Sequence, residues 1–149
     1  MKDLTGTASG VVATPIERCF ELLVAVDRYP DWHPDVVREV EILERDGDGL
    51  PVRAQTKLHV ARGPLVHDFE LLMAIDAQRP QSVSLAKIAS GSSAQRFDVD
   101  WRLRDGAGTR IELSLRASLN VSRFIPLGGI GDWMAAGFVA AARRALSSP

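Results

Sequence analysis

The chain has 149 residues, 46% of them hydrophobic and 25% charged, with a formal net charge of -1 and an isoelectric point near 6.3. This length supports a single domain, residues 1–149, with a core that needs no covalent staples, and the near-neutral charge excludes the clustered basic footprint of a nucleic-acid binder. The lone Cys19 rules out an internal disulfide framework, and the longest apolar run, Trp133 to Ala142, is far short of the ~20 residues that span a bilayer. No apolar leader follows Met1-Lys2-Asp3, so a cytoplasmic location is expected.

Leu4 to Val12 reads as a first strand. Thr14-Pro15-Ile16-Glu17 then has the form of a capping box with proline at the first helical position. It opens a helix to about Val26, with Ile16, Cys19, Phe20, Leu23 and Val26 on one stripe. Tyr29-Pro30-Asp31-Trp32-His33-Pro34 breaks that helix, because each proline pushes its predecessor out of the α region, and a short second helix or turn is expected there. Strands follow at Val36 to Arg45, Leu50 to Ala61, Leu65 to Ala77 and Ser82 to Ala89, separated by the turns Asp46 to Gly49, Arg62 to Pro64 and Gln78 to Pro80. The connector Ser90 to Ser93 leads to the last two strands.

Those two strands, within Phe97 to Val121, carry the clearest pattern. Phe97, Val99, Trp101 and Leu103 alternate with charged residues, and after Asp105 to Thr109 the alternation resumes with Ile111, Leu113, Leu115, Ala117, Leu119 and Val121. Both apolar sets are odd-numbered, and opposed residues of an antiparallel pair share a face, so the loop must hold an odd number of residues. A five-residue loop, Asp105 to Thr109, puts Leu103 opposite Ile111 and Trp101 opposite Leu113. A glycine-rich loop, Ser122 to Gly131, then precedes a final helix, Asp132 to Leu146, with Ile130, Trp133, Met134, Gly137, Phe138 and Ala141 on its apolar stripe.

The order is thus one strand, two short helices, six strands and a long helix, an α+β chain with a seven-stranded sheet. Seven strands make a sheet roughly 30 Å wide, whereas a helix with its side chains is only about 10 to 12 Å across. The sheet must curl around the helix, which sets its far strands away from it. Large inward residues such as Phe69, Leu71 and Met73 alternate with small ones such as Ala54, Thr56, Ala89 and Ala117. We therefore expect a part-filled hollow, with an ordinary close-packed core as the alternative.

The segment Val12-Ala13-Thr14-Pro15-Ile16-Glu17-Arg18-Cys19-Phe20, followed by Tyr29-Pro30-Asp31-Trp32-His33-Pro34-Asp35-Val36 and Val40-Glu41-Ile42-Leu43, resembles the START-related (SRPBCC) superfamily. Within it, the match is to the bacterial polyketide cyclase/dehydrase and lipid-transport branch. The resemblance implies a helix-grip fold: a curved antiparallel sheet wrapped around the C-terminal helix, with an apolar cavity between them. It implies no reaction, since the family shares no catalytic signature.

Among residues that could carry chemistry, His67 falls in register with Leu65, Phe69, Leu71 and Met73 on the apolar face, where it is either a general base or a neutral core histidine. His59 has outward parity, and His33 lies in the proline-rich break, where a structural turn is the simpler reading. Lys87 has inward parity and either reaches the cavity mouth or snorkels to the surface. Thr56 is the inward hydroxyl. No metal set or cofactor is expected, because three scattered histidines and one cysteine offer no ligand spacing, and Gly128-Gly129-Ile130-Gly131 lacks the lysine and hydroxyl of a phosphate loop.

The first functional expectation is binding or carriage of a hydrophobic small molecule, such as a lipid, quinone or polyketide. Its lining would be Thr56, Phe69, Leu71, Met73, Phe97, Trp101, Leu115, Trp133, Met134 and Phe138. The second is a polyketide cyclase or dehydratase in the same cavity, with His67 as catalytic base. A third is an interaction module, since Ala135, Ala136, Ala140 and Ala142 on the outer side of the last helix permit close approach of a partner. The loop Ser122 to Gly131 is expected either to act as a hinged lid, with Phe124, Ile125 and Leu127 plugging the mouth or touching a membrane, or to be a connector pinned to the core.

Overall fold

The computed structural model describes residues 2–88, 96–119, 121 and 124–147. Strands β1 (Lys2–Val12), β2 (Val37–Arg45), β3 (Pro51–Arg62), β4 (Leu65–Gln78), β5 (Ser82–Lys87), β6 (Phe97–Gly106) and β7 (Gly108–Leu119) form one curved antiparallel sheet in the order β1-β7-β6-β5-β4-β3-β2. Helices α1 (Ile16–Val24) and α2 (Tyr29–Trp32), joined by a 3-10 turn at Val26–Arg28, follow β1, and α3 (Ile130–Ser147) ends the chain. This is the expected helix-grip arrangement. Ala89 and the connector 90–93 lie outside the described residues, as does Ser122 at the start of the expected lid. No helix among the described residues is long and apolar enough to cross a membrane.

The β6–β7 hairpin has the register that its alternation requires, with Leu103 opposite Ile111 and Trp101 opposite Leu113. Its loop is tighter than expected: pairing continues through Asp105↔Thr109 to Gly106↔Gly108, leaving Ala107 alone at the tip. The loop still has an odd number of residues, so the faces are unchanged. Gly108 makes the tight tip possible, because it adopts φ +95 and a Cβ there would collide with the Val12 carbonyl. The tip docks on the end of β1, where the fully buried Thr109 donates its hydroxyl to the Thr14 carbonyl at 2.7 Å.

The capping box does not form. Helix α1 starts after Pro15 with no side-chain cap, and the Thr14 hydroxyl instead donates to the Leu146 carbonyl at 3.1 Å, tying the end of α3 to the start of α1. Behind it, α1 drives Phe20 and Leu23 into the concave face with no exposed surface, each burial contributing about 1.5 to 3 kcal/mol.

The orientation of α3 also departs from expectation. Ala135 and Ala142, expected to face outward toward a partner, are fully buried, whereas Ala136 and Ala140 are exposed and Trp133 and Gly137 only half-buried. The cause is a glycine seam. The backbones of Gly6 on β1 and Gly131 at the start of α3 approach so closely that a Cβ on either would overlap the other's main chain, and Gly10 similarly accommodates the Arg143 side chain. Asp132 locks the seam by accepting a hydrogen bond from the Thr7 amide at 3.0 Å. Helix α3 is thereby pulled toward β1, its alanines turned onto that strand.

The opposite edge is looser. Strand β2 pairs only with β3 and is interrupted at Val37/Glu39, Ile42/Glu44 and Glu44/Arg45, irregularities that bend an edge strand and increase its twist.

Candidate functional site

The interior is nearer to the close-packed alternative than to a part-filled hollow. A cavity of about 30 Å³ lies between the sheet and α3, walled by Val26, Tyr29, Val37, Val40, Thr56, Leu58, Met73, Leu85, Phe97, Val99 and Phe138. That is room for about one water molecule. The space expected beside a single gripping helix is taken up by Phe20, Leu23, Val26 and Tyr29 of the α1–α2 region, all buried.

The walls offer a ligand no free polar group. Thr56 donates its hydroxyl to the Leu71 carbonyl at 3.1 Å, and Tyr29 donates to the Leu23 carbonyl at 2.6 Å. Burial pushes the Tyr29 phenol well above its usual range, an effect partly offset by the nearby Trp101 indole. Trp101 Nε1 is itself buried without a partner in hydrogen-bonding geometry, although it lies near enough to the Tyr29 hydroxyl to favour the ionised form.

Of the residues expected to line the cavity, Thr56, Met73, Phe97 and Phe138 do so. Phe69, Leu71, Trp101 and Leu115 are buried around it: Phe69 packs edge-on against Phe97 at 5.1 Å, and Trp101 against Phe138 at 6.4 Å. Met134 and Trp133 lie on the far side of α3's inner face and line an outer cleft instead. His67 is half-buried at the start of β4, its ring edge-on to Phe69 at 4.5 Å, and is not among the cavity walls. Lys87 is half-buried opposite Met73, and His59 pairs with Asp68 at 2.6 Å.

The outer cleft, about 460 Å³, separates α3 from β2 and β3 and is lined by His33, Asp35, Val36, Arg38, His59, Ala61, Trp133, Met134, Gly137, Ala140 and Arg144. Along α3, Trp133, Gly137, Ala140 and Arg144 follow the spacing of one helical face, so two small residues form a trough between two large ones. The Arg62 guanidinium lies 4.9 Å above the Trp133 ring.

His33 lines the cleft and packs on the cavity-wall residue Phe138, and periodicity could not reveal it. Its backbone amide donates to the Tyr29 carbonyl at 2.8 Å and its carbonyl accepts from Val37 at 3.0 Å, which fixes the residue at the end of α2. Its ring packs edge-on to Phe138 at 4.6 Å, lies beside Trp32 at 6.2 Å, and is only 7% exposed. Among the described residues Nε2 is buried with no hydrogen-bond partner. Burial holds the imidazole below its usual pKa; Asp35 works against this shift and Arg144 adds to it. Of the cavity-wall residues not foreseen, Leu58, Leu85 and Val99 have the right strand parity and Val26 ends the first helix's apolar stripe, but Val37 and Val40 differ in parity across a bulge and Tyr29 sits in the aperiodic proline break.

Among the described residues no three His, Cys, Asp or Glu side chains converge on a metal-sized site. A groove of about 470 Å³ on the convex face, where Ser84 donates to Asp100 at 2.6 Å, runs along the charged side of β6 past Asp100, Arg102 and Arg104.

Residues 12–143 match the family described as polyketide cyclase/dehydrase and lipid transport. No curated protein matches the sequence. Among solved structures, a START superfamily protein from Mycobacterium smegmatis superposes with a TM-score of 0.71 at 16% identity, covering 97% of this chain and 96% of that one. A Thermus thermophilus protein gives 0.71 at 18% identity, with 97% and 100% covered. The Zhui aromatase/cyclase of a Streptomyces species gives 0.56 at 20% identity, with 98% and 87% covered. At these identities the likeness establishes the fold alone.

Proposed function

The chain belongs to the polyketide cyclase/dehydrase and lipid transport family, and from that premise we propose that it binds a hydrophobic small molecule, such as a lipid, quinone or polyketide, in the hollow under α3. One observation carries the proposal. The hydroxyls of Tyr29 and Thr56 in the wall are both engaged by backbone carbonyls, so what remains exposed to a guest is hydrocarbon and aromatic surface. Because the resting cavity measures about 30 Å³, a guest must displace side chains, and Phe138, packed on His33 of the cleft, is the one whose movement enlarges it in that direction. The protein would act in the cytoplasm, exchanging the molecule with partners or membranes.

Titration with N-phenyl-1-naphthylamine, an uncharged apolar fluorophore, tests this reading. The expected result is saturable enhancement that competes with molecules recovered by organic extraction of the purified protein. Absence of any saturable binding, together with no extractable apolar molecule, would defeat it.

A second reading, cyclisation or dehydration of a polyketide-like substrate in the same space, is supported by His33. A desolvated neutral imidazole with an unengaged Nε2 is poised to take or give a proton. Neither histidine lines the cavity itself, but His33 packs on the wall residue Phe138, whereas His67 packs on Phe69 behind the wall. Loss of turnover in His33→Gln with retained fluorophore binding would favour the enzyme; equal turnover would remove it.

A further inference from the structure

We propose that the outer cleft is a recognition site for the anionic end of an amphipathic ligand, a carboxylate or sulfonate on an aromatic or polycyclic body, whose apolar part reaches the hollow past Phe138. This deepens the binding reading above and rests on it for the apolar half only.

Three observations converge on the cleft. First, its shape suits a flat body: Gly137 and Ala140 leave a trough between Trp133 and Arg144 on α3, and about 460 Å³ lies within the range of small-molecule sites. Second, its charge favours an anion. Its lining carries one carboxylate, Asp35, and two guanidinium groups, of which Arg144 has a partner of its own while Arg38 makes no ion pair or side-chain hydrogen bond among the described residues. The other acid nearby, Asp68, is already engaged by His59. Third, the floor contains a polar atom with nothing to bind. His33 Nε2 is buried with no partner among the described residues and lies just behind Gly137, 3.9 Å from where a Cβ there would stand, so a bound oxygen reaches it once the ring turns toward the cleft.

A buried nitrogen without a partner is an unmet cost that a bound group can relieve. In its Nε2–H tautomer His33 donates to an anionic oxygen while staying neutral, as burial requires. The Arg38 guanidinium at the rim supplies a charge-assisted contact, and the Arg144 charge adds to the field around it. The arrangement places the charge-reading groups in the wet cleft and the uncharged walls in the dry hollow, with His33 and Phe138 between them.

The test compares two fluorophores that share a ring system. 1-Anilinonaphthalene-8-sulfonate carries an anion; N-phenyl-1-naphthylamine does not. Arg38→Gln and Arg144→Gln are each expected to raise the Kd of the sulfonate by about three- to tenfold and to move that of the neutral probe by less than twofold. His33→Phe, which retains a ring against Phe138, is expected to weaken the sulfonate selectively. Arg102→Gln, removing the same charge from the convex face, should leave both unchanged. Equal responses of the two probes, or an Arg102→Gln effect as large as that of Arg38→Gln, would overturn the cleft proposal. If the neutral probe fails to bind while the sulfonate still responds to Arg38, the cleft stands and the apolar hollow is refuted. Binding of both probes without a response at Arg38 has the opposite meaning, and binding of neither refutes both. Circular dichroism of each variant confirms that it is folded.

Discussion

On its β1 flank, α3 lies main chain against main chain: Gly6 meets Gly131, and Asp132 holds the Thr7 amide. On its β2 flank the same helix presents Gly137 and Ala140 to a cleft, across which stand a bulged edge strand and a histidine with an unpartnered nitrogen. Glycine occurs on both flanks with opposite consequences. At Gly131 the missing Cβ allows a contact; at Gly137 it leaves space. The difference assigns separate tasks to the two sides. The seam resists opening, because parting it separates closely packed main chains and breaks the Thr7–Asp132 hydrogen bond, whereas the His33–Phe138 wall can move by side-chain rotation and a shift of a short helix. A guest too large for the resting hollow must therefore enter from the β2 side.

The largest effect expected from this asymmetry is at the seam. Gly131→Val forces main chains apart and should cost more than ~3 kcal/mol or prevent folding; a urea melt matching wild type would show that the seam does not hold α3. Next, Asp132→Ala removes the bond to Thr7 and an acidic group from the first turn of α3, and should cost about 1 kcal/mol in the same assay. Gly137→Ala should instead stabilise by about 0.5 to 1 kcal/mol, since alanine is the better helix former and its Cβ would make only ordinary contact with His33. A loss there would mean that the two flanks are equally tight.

The smallest effect is electrostatic. Because burial lowers the His33 pKa in the folded protein, the unfolded chain binds the extra proton first as pH falls. The contribution of neutral His33 is complete above the ordinary imidazole value of 6.5 and is lost as pH drops below it toward the folded value. His33→Phe should flatten that part of the stability curve between pH 7 and 5, and an unchanged slope would contradict the assignment.

Sequence patterning made one flank more readable than the other. The alternation from Phe97 through Leu119 dictates face and register because period two leaves no choice once a face is buried. Alanine gives no such signal: Ala135 and Ala142 look the same inward or outward, and their burial follows from Gly6 and Gly131, 125 positions apart in the chain. Thr14 has the local form of a cap, but the Leu146 carbonyl competes for its hydroxyl in the folded chain. His33 was illegible for a related reason. It sits between two prolines in a segment without periodicity, and becomes a buried residue only because Phe138 packs against it. Thr56, Met73, Phe97 and Phe138 could be placed at the cavity because parity and helical spacing reach them directly; the cleft joins three elements and has no local pattern.

The claim that α3 is fixed on one side and opens on the other is tested most directly by amide hydrogen exchange with and without saturating N-phenyl-1-naphthylamine. Exchange through sub-global openings is expected at residues 33–45 on the β2 side in the free protein, slowed by the fluorophore, with β1 and β7 exchanging at the slow global rate in both states. Faster exchange at β1 and the start of α3 than at β2, or fluorophore protection concentrated on the glycine seam, would contradict it.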